Sequence, residues 1–262
     1  MEKMMLPALF ISHGSPQLMT MNNSTTNFLK KVSSTYKRPK YILVISAHWV
    51  TNDLNILYEE SPSLIYDFYN FPKELYELTY NANSSIEKSD EIITSLEKAG
   101  FKVNKNTSRG GYDHGVWSPL RFLYPNAEIP VIQLSLPYSF NQYELFKVGE
   151  VLKSFREDML IIGSGSITHN LSDLSWGDEN SKVKKYAKEF HDWLIEKLEN
   201  AEYKLLLDQF ATAPYLKLNH PTLDHILPLF VVLGSSSNKK GESLHNEYMY
   251  GNLSMDTIIF KE

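Results

Sequence analysis

The sequence predicts a single α/β domain built on a central mixed or mainly parallel sheet with helices on both faces. Two observations carry that prediction. Short, continuously apolar runs of strand length alternate with longer segments whose apolar residues recur every three or four positions, and this order buries a sheet between helical layers. No internal repeat, low-complexity tract or long linker breaks the 262 residues, so residues 1–262 read as one domain.

The elements follow in order. Strands are expected over 8–12, 41–47, 131–136 and 159–163, each an apolar run suited to burial on both faces. A closing strand is expected over 253–260, after the turn at Tyr250-Gly251-Asn252. Helices are expected over 23–35, 84–99 and 142–155. The clearest helical pattern spans 178–198, where Val183, Ala187, Phe190, Leu194 and Leu198 fall on one face. Another helix is expected to start at Pro221, a residue suited to a first helical position. His220 would then be its N-cap, and Asp224 would point away from His225 around the helix. Residues 104–111 and 235–241 read as surface loops.

Composition narrows the function. Lysine and arginine total 26 against 31 acidic residues, a net charge of −5, which gives no footing for nucleic acid or an anionic membrane. The longest apolar stretches fall well short of the roughly 20 residues of a membrane span. No apolar leader is visible at the N-terminus, so a cytoplasmic location is expected. With no cysteine in the chain, disulfides and zinc–thiolate sites are excluded.

The eight histidines are the informative residues. His13, His48 and His169 each follow a different expected strand, at the rim where open α/β sheets bind ligands. Neutral imidazoles gathered there suit one divalent first-row metal ion with coordination positions left open. His220 and His225 point in different directions, so one can ligate while the other contacts substrate or caps the helix; His225 is taken as the ligand. His114 lies in a glycine-flanked loop that can approach a substrate oxygen or dioxygen. His191 and His245 read as structural or exposed. Tyr66, Tyr69 and Phe71 offer an aromatic wall for a flat ligand, or simply packing. Gly163-Ser164-Gly165-Ser166 is a weak phosphate cradle, because it lacks a P-loop lysine. A serine hydrolase is disfavoured because the chain has no G-x-S-x-G elbow.

Five motifs in order then resemble one family: Ser12-His13-Gly14-Ser15-Pro16, Ser46-Ala47-His48-Trp49, Tyr112-Asp113-His114-Gly115-Val116-Trp117, Gly163 to Asn170 and His220 to Pro228. Together they are similar to the DOPA 4,5-extradiol dioxygenase branch of the class III ring-cleaving dioxygenases, from about Pro7 to Phe260. The resemblance implies one catalytic domain that opens the ring of a DOPA-like catechol, with a small aromatic diol and O2 as reactants. It implies a metal on His13, His48 and His225, His169 as acid/base and His114 near substrate and oxygen; His220 and Tyr66, from their own positions, are taken as substrate contacts. Fe(II) would be the active metal, with Zn(II) plausible as purified. Where the wider class carries a glutamate, His225 stands, which leaves the site one unit more positive. A zinc hydrolase using the same histidines, or a non-catalytic metal-binding protein, are the rival readings. Oligomeric state is not encoded in any of these features.

Overall fold

Alternation along the central strands decides which layer each side chain enters. Ala8 and Phe10, Leu43 and Ile45, and Met159 and Ile161 join one apolar cluster, while Leu9 and Ile11, Ile42 and Val44, and Leu160 and Ile162 join the other. A strand that is apolar at every position must be covered on both faces, and the chain supplies the cover. The computed structural model describes residues 5–262. The expectation that no apolar leader opens the chain falls largely on residues 1–4, which lie outside the described residues.

In chain order the elements are β1 (Ala8–Ser12), α1 (Ser24–Val32), β2 (Tyr41–Thr51), β3 (Leu54–Leu57), α2 (Ile86–Lys98), β4 (Val103–Asn106), α3 (His114–Leu123), β5 (Val131–Pro137), α4 (Gln142–Leu152), β6 (Met159–Gly165), α5 (Lys185–Glu199), α6 (Tyr203–Gln209), α7 (Leu216–Asn219), α8 (Pro228–Ser235), β7 (Glu242–Met249) and β8 (Leu253–Phe260). They form one sheet of order β4-β3-β5-β2-β6-β1-β8-β7. The four central strands β5, β2, β6 and β1 run parallel. β8 and β7 add antiparallel at one edge, and β3 meets β5 antiparallel at the other. The sheet is thus mixed with a parallel centre. α1 and α3 cover one face, and α2, α4, α5, α6 and α8 the other. Among the described residues, no helix is long and apolar enough to cross a membrane.

Local signals explain several boundaries. Asn23 and Asn141 cap α1 and α4 with reciprocal capping boxes through Thr26 and Glu144, and Ser85 caps α2. The helices expected over 23–35 and 142–155 end in 3-10 turns at Ser33–Thr35 and Lys153–Glu157.

Five expectations are corrected. The helix expected from 178 starts at Lys185; residues 178–184 are irregular and pair with the turn at 250–251 through Tyr250 N–H to Glu179 and Lys184 N–H to Gly251. No helix starts at Pro221: residues 221–227 form turns, and helix begins only at Pro228. His220 closes the short α7 rather than capping a following helix. The loop expected over 104–111 contains β4 residues paired to β3, and the segment read as a loop around His114 becomes α3. β3, β4 and β7 were not expected, because they are short or carry polar residues that mask the strand period.

Candidate active site

Three irregularities at the carboxyl ends of the parallel strands build the site. The first is in β2. Ile45 pairs with Leu134 and Val50 with Leu136, so five steps on β2 face two on β5. The surplus bulges out. His48 therefore lies within the strand, not after it as expected, and still reaches the rim. Ser46 Oγ holds this bulge, accepting the His48 N–H at 3.2 Å and donating to Asp113 at 2.6 Å.

The second is the close seat of the 221–227 turn on β6. A Cβ at Gly165 would lie 2.0 Å from the carbonyl oxygen of His225. Only glycine allows the turn this near, and the Ser166 N–H then donates to that carbonyl at 2.8 Å. Of the paired glycines expected as a weak phosphate cradle, Gly165 thus seats His225 by backbone approach, while Gly163 makes room for the carbonyl of Pro228.

The third is Pro119 inside α3. Proline has no N–H for the carbonyl four residues earlier, so the Gly115 carbonyl is free to accept from Ser164 Oγ at 2.5 Å. Ser164 spends its only hydrogen there and accepts from His13 Nδ1 at 2.9 Å. The Nε2 of His13 is left with its lone pair toward the rim. Gly115 also leaves room for the neighbouring ring: a Cβ there would come within 3.1 Å of His48 Cδ2.

The same logic orients the other rings. Asp67 lies 3.2 Å from His48 Nδ1 and accepts from His114 Nδ1 and the His114 N–H at 2.9 Å each. Burial would raise the Asp67 pKa, but hydrogen bonding and charge from His114, then charge from His48, bring it to about 2. An ionised carboxylate only accepts, so His114 Nδ1 donates to it, and its charge beside His48 Nδ1 favours the proton on that nitrogen, which turns the Nε2 of each ring toward the site. His225 Nδ1 is bound by Asp224, and its Nε2 is buried with no hydrogen-bond partner among the described residues. The expectation that Asp224 points away from His225 is corrected: in a turn, unlike a helix, neighbouring side chains can meet.

These rings converge. His13 Nε2 and His48 Nε2 are 3.0 Å apart, although neither has a proton to share. Two nitrogens about 2.1 Å from one ion and at right angles around it would lie about 3.0 Å apart. His13, His48 and His114 offer ligand atoms all within 4.8 Å of one another and can hold a metal ion. The His225 ring centroid lies 5.3 Å from that of His13 and 5.0 Å from that of His48. His169 stacks on His225, with centroids 3.4 Å apart and planes 8° from parallel.

Burial first, then neighbouring histidines, push His13 and His225 well below the ordinary imidazole value. Burial also lowers His48 and His169 to about 4. The rings are neutral at pH 7, the form that ligates. His169 is accordingly a weaker base than a free imidazole.

A cavity of about 330 Å³ opens over the cluster, lined by His13, His48, His114, His169 and His225 together with Asp67, Phe68, Tyr69, Phe71 and others. Of the expected aromatic wall, Tyr69 and Phe71 line it. Tyr66 does not; its hydroxyl donates to the Leu78 carbonyl at 2.6 Å and its ring packs on Trp117. His220 is also outside the lining, its Nε2 on the Ile167 carbonyl at 2.6 Å and its ring against Phe190. Both brace the walls. Sequence reasoning missed Asp67, which sits among aromatics in Tyr66-Asp67-Phe68-Tyr69, and Asp113, a fully buried carboxylate held by Arg109, Gln133 and Ser46. The signal for Asp113 was its place beside His114; nothing in the local sequence flagged Asp67.

A parallel-centred α/β sheet that gathers neutral, carboxylate-oriented imidazoles beneath an aromatic-walled cavity defines a metal-site enzyme of the α/β class. The chain belongs to the family of the catalytic LigB subunit of aromatic ring-opening dioxygenase, which it matches over residues 7–260. Its reactants are accordingly an aromatic compound and dioxygen. It is 37% identical to a 4,5-DOPA dioxygenase extradiol of Beta vulgaris, covering 96% of this chain and 95% of the relative. It is 32% identical to the protein of the same name in Escherichia coli K12, covering 97% and 94%. The solved structure of an uncharacterized protein from Escherichia coli K12 matches with a TM-score of 0.80 at 28% identity, over 97% of this chain and 99% of that one.

Proposed function

We propose that this enzyme opens a catechol ring by extradiol cleavage, with one Fe(II) held by His13, His48 and His225. The buried, partnerless Nε2 of His225 carries the reading. Leaving a buried polar atom unpaired costs about 1–3 kcal/mol, and a cation facing the His13 and His48 lone pairs removes that cost. His114 lies within the same cluster. However, the carboxylate that fixes His114 also caps α3 through its backbone N–H, which suits a ring that points at substrate or oxygen from a rigid helix end. The names of the relatives support a catechol of the DOPA kind.

A bound ferrous ion would supply Lewis acidity toward the diol oxygens and a path for electrons to dioxygen. The remaining work falls to the chain. His169, stacked on His225 and lining the cavity, takes a proton from a diol hydroxyl at Nδ1 or Nε2 and returns it as the ring opens. His114 Nε2 faces the same space and hydrogen-bonds a diol hydroxyl. Phe68 and Phe71 exclude water and hold the ring flat. The cytoplasm is the proposed compartment, since a ferrous site is kept reduced there; cell fractionation tests it.

The test is oxygen uptake by Fe(II)-loaded protein given catechols. One O2 consumed per ring opened, with the yellow semialdehyde appearing in step, is expected. Turnover without oxygen uptake would sink the proposal in favour of a zinc hydrolase.

A further inference from the structure

His48 sits where the sheet stops supporting its own strand. Ser46 is the last β2 residue in register with β6, and pairing with β5 passes from Ile45 straight to Val50. Residues 47–49 are thus in register with neither neighbour, and a bulge outside the ladder leaves its side chains to be aimed by other contacts. Side chains of one downstream segment supply them. Asp113, fully buried, accepts from Ser46 Oγ at 2.6 Å and from Arg109 and Gln133 at 2.5 Å each. Ser46 has thereby given up its hydrogen, so its oxygen can only accept from the His48 N–H. Arg109 touches the same stretch directly. Its Nη2 lies 3.5 Å from the His48 carbonyl oxygen, and its guanidinium lies 4.5 Å from the centre of the Trp49 ring. The backbone carrying Arg109 is itself fixed. The Asn106 side chain accepts from the Arg109 N–H at 2.9 Å, and a Cβ at Gly111 would lie 2.0 Å from the Ser63 carbonyl oxygen.

Resting on the reading of His48 as a metal ligand, we propose that Arg109 and Asp113 are positioning residues for His48. They stand in for the sheet pairing that residues 47–49 lack, and so set where His48 Nε2 meets the metal. One planar guanidinium can hold a carboxylate and a carbonyl while lying on an indole, a combination that a lysine ammonium does not reproduce. The pair also balances its own charge, because a buried carboxylate stripped of its cation is strongly destabilising. Position and stability therefore have to be measured apart.

Two variants separate them. Arg109→Lys keeps a cation beside Asp113 but loses the fork. The double variant Arg109→Met with Asp113→Asn removes both charges together, and Gln133 Oε1, buried with no partner among the described residues, can turn to accept from the new amide. Both variants are expected to melt within a few degrees of the unaltered protein. Co(II) added to metal-free protein is the probe, since its visible ligand-field bands report the geometry around the ion. Each variant should bind Co(II) ~10–100-fold more weakly, with shifted bands. Unchanged affinity and bands in both variants overturn the assignment. Weakened binding found only in a variant that also melts early overturns it too, because loss of fold then accounts for the effect. Ring opening is judged separately. If the variants lose Co(II) as expected but the unaltered, Fe(II)-loaded protein consumes no oxygen with any catechol, the positioning role stands and the ring-opening reading falls. An unaltered protein that binds no Co(II) removes His48 as a ligand and the positioning role with it.

Discussion

His191 and His225 are both buried histidines with a carboxylate as sequence neighbour, and they do opposite things. On α5, His191 has an acid at each ring nitrogen, Asp192 at 3.3 Å and the fully buried Asp256 at 2.9 Å. Burial alone would lower its pKa, but the hydrogen bonds and charge of Asp256, then of Asp192, raise it. His225 has one acid, Asp224, and its other nitrogen faces four more histidines across the cavity. Its pKa is driven well down by burial and then by His169, His48, His220 and His114. A ring with both nitrogens engaged is a strut between α5 and β8. His225, with one nitrogen fixed and the other buried among the histidines of the cavity, is oriented to ligate. Proximity of acid and imidazole is common to both; the second nitrogen separates them.

The largest effect should come from testing that contrast directly. His225→Ala, like His13→Ala, is expected to abolish both metal content and ring opening, whereas His191→Ala should leave metal stoichiometry unchanged; metal analysis of the purified variants decides it. Next in size, His169→Ala should keep the metal and lose about 10²–10⁴-fold in kcat, measured as oxygen uptake. Near-normal kcat in that variant would remove His169 from proton transfer.

The orienting acids should separate in the same way at smaller amplitude. Asp67→Asn, which weakens the grip on two rings at once, is expected to cost about 10–100-fold in metal affinity or activity. Asp256→Asn should leave metal affinity alone and lower the melting temperature instead. Smallest is a pH effect. The His191 pKa is raised in the fold, so its stabilisation is fully present below the ordinary imidazole value and is lost as pH rises through the folded value. His191→Gln should therefore be less stable than the unaltered protein by about 2 kcal/mol in acid, with the gap closing above neutrality, as read from denaturation midpoints across pH. A gap that is flat with pH would show that the ring is neutral in the fold.

Much of this arrangement was legible from the chain alone. The apolar runs at 8–12, 131–136 and 253–260 became strands with at most one residue of difference, because a strand buried on both faces must be apolar throughout. The histidines following β1 and β6 announced a rim site, since strand ends lie together whatever the connections. The segment at 221–227 misled: its proline and spacing suit a helix start, yet Gly165, some sixty residues earlier, admits a turn there. Helix propensity is local and weak, and a close backbone contact overrides it.

The sequence by itself determined the sheet's central strands, the absence of thiol chemistry and the set of histidines available to the site. Only the tertiary structure decided how each imidazole is turned. That depends on Ser164, Asp67 and Asp224 meeting particular ring nitrogens, and on a proline in α3 freeing a carbonyl for Ser164. Ring orientation is set by hydrogen bonds between residues up to about 150 positions apart, and no pattern within a stretch of sequence encodes a contact at that range.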